Sequence, residues 1–135
     1  MARDVVRQFQ AADYPLLCEW WEGHRSPHVP LAALPPDSIF ALGEDGQAEA
    51  FASFYLSHGI GIAFMCWLVT KPGMGAARAK AAFAKIVGYF EFAHGAAYST
   101  IIGFTSPAIA RAARQLGFTD GASDLIEVAM KLKTD

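Results

Sequence analysis

The sequence is short of cysteine and of charge, and each shortage excludes a class of protein. Cys18 and Cys66 are the only cysteines among 135 residues. They are too few, and too embedded in apolar sequence, for a disulfide framework or a Cys-x-x-Cys metal site, and they fit a reducing cytoplasm. Charged residues make up 18% of the chain and leave a formal net charge of −2, which gives no basic footprint for non-specific nucleic-acid binding. The apolar runs stop well short of a membrane span, and the opening MARDVVRQFQ has no apolar core like that of a signal peptide. Internal repeats and low-complexity tails are missing too. The expectation is a soluble, cytoplasmic protein with neither nucleic acid nor membrane as partner.

What is present is apolar sequence, 53% of the residues, enough at this length for one compact domain over 1–135 with a substantial core. DVVRQF (4–9) reads as a first strand. AADYPLLCEWWEGH (11–24) reads as a helix with Asp13 as N-cap, its apolar face formed by Leu16, Leu17, Trp20 and Trp21. Four prolines between Pro27 and Pro36 mark an irregular connection. SIFALG (38–43) and QAEAFASFYL (47–56) are two strands joined at Asp45-Gly46, which has the chemistry of a tight hairpin turn. IGIAFMCWLV (60–69) is apolar on both faces, as expected of a central strand; a buried helix is the alternative for so short a run. From Ala76 to His94 the apolar residues fall at helical spacing, with Gly95 as a left-handed cap. YSTIIGF (98–104) is a strand, and SPAIARAARQLGF (106–118) is a helix with Ser106 at N-cap, Pro107 in the first position and Gly117 past the end. DLIEVAMKL (124–132) alternates imperfectly as a last strand. Antiparallel hairpins early and helical crossovers late imply a mixed α/β (α+β) fold.

The stretch WLVTKPGMGAARAK (67–80) carries the chemistry. A strand that passes through glycines into a helix leaves main-chain N–H groups pointing out of the helix start, and the helix dipole adds to their attraction for anions. Gly73 and Gly75, lacking a β-carbon, allow a phosphate to approach closely, and Lys71, Arg78 and Lys80 stand nearby in sequence. A plain glycine-rich connector is the competing reading. The stretch contains neither G-x-x-x-x-G-K-[ST] nor the third glycine of G-x-G-x-x-G, so an ATPase loop and a dinucleotide fingerprint are excluded.

The element order, with WLVTKPGMGAARAKAAFAKIVGYFEFAHG and SPAIARAARQLGF, resembles the N-acetyltransferase (GNAT) superfamily over nearly the whole chain. In that family a central strand leads into R/Q-x-x-G-x-G/A and a long helix whose N-terminus binds the pyrophosphate of acetyl-CoA. The matching residues are Thr70-Lys71-Pro72-Gly73-Met74-Gly75, and Gly117-Phe118 match a second signature. The resemblance implies a mostly antiparallel, twisted sheet of six to seven strands flanked by three to four helices. It also implies acetyl-CoA as cosubstrate, with Leu68, Val69, Lys71, Gly73, Met74, Gly75, Ala76 and Arg78 as its binding residues. Three positions depart from the family pattern. Thr70 stands where arginine or glutamine is usual, Pro72 removes an N–H donor, and Ala113 stands where many members place the tyrosine that protonates the leaving thiolate.

The implied activity is acyl-CoA-dependent N-acyl transfer, moving acetyl directly to an amine of a small molecule or protein without a covalent enzyme intermediate. The alternative is a catalytically silent GNAT-like binding or accessory module. The strand 60–69 holds no acid, so the candidates for a base are Glu19, Glu49 and His28, each also readable as a solvated surface residue. Cys66 is a candidate nucleophile whose competing reading is a small buried hydrophobe. The histidines are scattered, and no metal is expected. A monomer and a homodimer are both compatible with the sequence.

Overall fold

The computed structural model describes residues 5–121, 126 and 128–132. The chain divides into two compact units, Met1–Thr105 and Ser106–Asp135. The first unit contains β1 (Val6–Gln8), α1 (Tyr14–Gly23), β2 (Ser38–Leu42), β3 (Ala48–Leu56), β4 (Ile62–Thr70), α2 (Ala76–His94) and β5 (Thr100–Gly103). One sheet runs β1-β2-β3-β4-β5 in chain order. Its first three pairings are antiparallel, and only β4 with β5 is parallel.

Alternation along the strands divides the core between two helices. Phe40, Phe51 and Val69 pack with Leu17, Trp20 and Trp21 of α1; Trp20 meets Phe40 edge-on at 5.7 Å between ring centroids. On the other face Phe54 stacks on Phe90 of α2 at 4.5 Å, beside the buried Ala82, Phe83 and Ile86. Burying a large apolar side chain contributes roughly 1.5–3 kcal/mol, so these two clusters hold the sheet between the helices. Ser38 and Ser53, both buried, share a hydroxyl bond of 2.8 Å, as an interior polar pair must.

The second unit contains α3 (Pro107–Gln115). Ser106 caps it by accepting from the Ile109 N–H at 3.4 Å, and Pro107 occupies the first turn. Gly117, past its end, has φ +104°. Arg114 bonds Asp120 at 2.7 Å.

The structure corrects several expectations. Five strands are present among the described residues, fewer than the six to seven expected, and three α-helices, the low end of the three to four expected. Part of the stretch 124–132 (residues 124, 125 and 127) lies outside the described residues, and 126 and 128–132 form no strand. Ile126, Val128, Met130 and Leu132 keep the two-residue period but are exposed; alternation becomes a strand only where a neighbouring strand takes up the backbone bonds. Residues Ala11–Asp13 form a 3-10 turn ahead of α1. Asp13 does not cap α1 with its side chain, because its carboxylate is occupied by Arg7 and the Gln10 N–H. Gly95 ends α2 at φ −61°, right-handed. The 60–69 run is a strand, as read, but Trp67 on it is 39% exposed, so β4 is not covered throughout.

Candidate functional site

The site lies in the first unit, at the C-terminal end of β4. β5 pairs with β4 only from Ile62↔Thr100 to Met65↔Gly103. β4 then runs on to Thr70, so the segment 66–70 has no strand partner on its β5 side among the described residues. β5 ends at Gly103 with all four of its residues paired, so one edge of β4 over 66–70 is left without a strand alongside it.

On its other side β4 carries a bulge. Phe51 pairs with Val69 and Ser53 with Cys66, so Trp67 and Leu68 together face Ala52. One extra residue bends the strand and breaks the regular ladder. Here it also forces Trp67 to φ +60°, where a bulky side chain is an outlier costing on the order of 1–3 kcal/mol. A hydrogen-bonded chain holds it: the Trp67 indole N–H donates to the Tyr55 hydroxyl at 2.9 Å, and that hydroxyl donates to the Ala33 carbonyl at 2.7 Å.

Beyond Thr70 the Lys71 N–H bonds the Glu49 carbonyl at 2.8 Å. The chain turns through Pro72 and through Gly73 at φ +86°, then enters α2 with Gly75 as N-cap and no side-chain cap. A β-carbon added at Gly73 or Gly75 would meet nothing within 4 Å. The N–H groups of the first helical turn therefore stand behind an open surface, the arrangement that accepts an anionic group. α1 supports the loop from behind: the His24 Nε2–H donates to the Thr70 carbonyl at 2.7 Å, and Gly23 abuts Pro72.

Leu68, Val69, Lys71, Gly73, Met74, Gly75 and Ala76 thus fall on one continuous path from the bulge to the helix start. Arg78 lies on the first turn of α2 with its guanidinium paired to the Glu49 carboxylate. That contact, with the charge behind it, raises the Arg78 pKa above the ordinary arginine value. Glu49 is buried. His28 bonds Glu22 at 2.9 Å, both side chains exposed, and Glu19 is exposed on α1. Cys66 faces Ser53 across the β3–β4 ladder, and burial pushes its thiol above the ordinary cysteine value, away from a reactive thiolate. A cavity of about 170 Å³ lies among Arg7, Leu16, Trp20, Gly46, Gln47, Ala48 and Lys71; it shares only Lys71 with the loop.

Sequence reasoning did not find the contacts that Gly23 and His24 make with the loop, or that Tyr55 makes with the bulge, because those partners lie far along the chain. Trp67 carried a signal, an aromatic next to the glycine loop, but its positive φ follows from a register shift that side-chain pattern does not encode.

No family model matches the sequence, and no curated protein matches it. Solved structures do match the fold. An acetyltransferase from Trypanosoma brucei superposes with a TM-score of 0.63 at 15% identity, over 92% of this chain and 98% of that one. A ribosomal-protein-alanine N-acetyltransferase from Brucella melitensis gives 0.56 at 14%, over 95% and 98%. N-acetylglutamate synthase from Neisseria gonorrhoeae, complexed with coenzyme A and N-acetyl-glutamate, gives 0.60 at 14%, over 82% of this chain and 27% of that longer one. At such identities the likeness is one of fold, and the chain has the fold of the N-acetyltransferase (GNAT) superfamily.

Proposed function

We propose that the chain is an acyl-CoA-dependent N-acyltransferase that moves acetyl from acetyl-CoA directly to an amine of a small molecule or protein. The observation that carries this reading is the open helix start at Gly73 and Gly75, reached from the segment of β4 that runs on beyond its last pair with β5, Met65↔Gly103. Coenzyme A in the Neisseria gonorrhoeae neighbour supports the choice of cosubstrate.

Acetyl-CoA supplies a thioester: the amine nitrogen bonds its carbonyl carbon, the C–S bond breaks, and the thiolate takes up a proton as the amine loses one. The chain's part is chiefly to bind and orient. Main-chain N–H groups of Gly73, Met74, Gly75 and Ala76 hold the pyrophosphate. Lys71 adds positive charge, and Arg78 does so only as far as its pairing with Glu49 allows. Leu68 and Val69, at the bulge, offer main-chain groups to the pantetheine and acetyl portions.

A second reading, a catalytically silent GNAT-like binding or accessory module, is favoured by one observation. Glu49, the one buried carboxylate among the described residues, is already engaged by Arg78 rather than left open to an amine.

Calorimetric titration with acetyl-CoA tests the first reading. Micromolar binding, abolished by Gly75→Glu, is expected; no heat at millimolar ligand sinks it. Turnover against an amine panel then decides between enzyme and silent binder.

A further inference from the structure

Glu49 holds the chain on both sides of the loop. Ala41 pairs with Ala50 and Leu42 with Ala48, so Glu49 is the extra residue of a β2–β3 bulge. A bulged residue leaves strict alternation, and its side chain is re-aimed. The carboxylate takes the Arg78 guanidinium from the first turn of α2 and fills the space where a side chain at Gly43 would begin. Its main-chain carbonyl receives the Lys71 N–H at 2.8 Å. One buried residue thereby ties down the point where the chain leaves β4 and the point where α2 has begun.

We propose that Glu49 is a positioning residue of the anion-binding loop, setting the spacing between Lys71 and the first turn of α2 so that the N–H groups between them converge on the pyrophosphate. Arg78 is the other half of this brace rather than a phosphate ligand. The inference rests on the acyl-CoA reading. The sign of the effect is diagnostic. A carboxylate beside an anion site repels the anion, so if Glu49 acted by charge alone its removal would tighten binding. As a brace, its removal loosens binding.

The test is calorimetric titration of the full chain with coenzyme A, for the unaltered protein, Glu49→Gln, Arg78→Gln and the double variant, each with a thermal melt. Each single change is expected to raise Kd about tenfold, and the double change no further, because the two side chains act as a unit. If Glu49→Gln fails to fold, Glu49→Asp, which keeps the charge but shortens the reach to Arg78, carries the test: a brace loses affinity for coenzyme A and a charge acting alone does not. Unchanged or tighter binding in the variants overturns the inference. So does a lower melting temperature with an unchanged Kd, which would make the pair a structural tie only. Additive losses overturn it as well, since Arg78 would then contact the ligand itself. Failure of the unaltered protein to bind coenzyme A removes the acyl-CoA reading and this inference with it; binding that the variants do not disturb removes this inference alone.

Discussion

A β-carbon on Gly23 would lie 2.5 Å from Cγ of Pro72, so the last residue of α1 and the proline of the 71–75 loop are in direct contact. With the His24–Thr70 bond of 2.7 Å beside it, this contact seats the loop against α1. Gly23→Ala is expected to wedge the two apart and cost about 1–3 kcal/mol, the usual range for overpacking. Pro72→Ala in the same chain removes the Cγ, the nearer obstruction, and leaves only the Cβ at 3.0 Å, so it should recover part of the loss. Urea unfolding of the two single variants and the double variant measures this. Additive losses would mean that the residues do not press on each other.

The sequence made some of this visible and hid the rest for definite reasons. α2 from Ala76 to His94 was legible because its apolar spacing, unlike a short strand's, extends over several turns. Ser106-Pro107 marked the start of α3 because capping is local chemistry. The loop at Gly73 and Gly75 was legible as a shape for the same reason. The Trp67 bulge, the Glu49 bulge and the early end of the β4–β5 ladder were not, since each is a property of register between strands. The reach of Glu49 to Arg78 joins a strand to a helix across 29 positions, and a lone sequence offers no sign of it. Alternation at 124–132 was read as a sixth strand because periodicity reports a capacity for pairing and not the partner.

Gly73 and Gly75 should respond differently to the same change. Gly73 sits at φ +86°, whereas Gly75 has φ −70° and ψ 161°, an extended conformation that alanine accepts. Gly73→Ala is expected to destabilise by about 1–2 kcal/mol, the cost of a left-handed residue with a β-carbon. Gly75→Ala should leave stability within about 0.5 kcal/mol, because its β-carbon would enter open space. Chemical denaturation of the two variants checks the contrast; equal losses would contradict the assigned backbone.

Tyr55 supports an unfavourable conformation, and its hydroxyl is the specific means. It accepts from Trp67 and donates to Ala33. Tyr55→Phe keeps the ring and deletes both bonds. The expected loss is about 1 kcal/mol, since water reaches these half-exposed groups and replaces part of what is removed. In a Trp67→Gly background, where φ +60° is no longer strained, the same change should cost less. Stability measured over this cycle decides the point: an equal cost in both backgrounds would separate Tyr55 from the bulge.

Asp13 should give the fold a dependence on acid. The Arg7 guanidinium grips its carboxylate with two bonds, 2.9 and 3.0 Å, and the Gln10 N–H adds a third at 2.8 Å. The Arg7 bonds first, then the Gln10 N–H and the Arg7 charge, outweigh burial and hold the Asp13 pKa below its ordinary value of 3.8. A carboxylate whose pKa is lower in the folded state than in the unfolded chain is bound by fewer protons when folded, so it contributes stability that is fully present above the unfolded pKa. That contribution declines once the pH drops below about 3.8 and is lost as the pH falls through the depressed folded value. Asp13→Asn, which cannot ionise, should therefore melt below the unaltered protein at neutral pH, with the gap closing in acid. Thermal melts of both proteins from neutral pH to the acid limit of folding follow that gap. A gap that stayed constant with pH would mean that Asp13 acts through shape and hydrogen bonding alone, with no contribution from its charge.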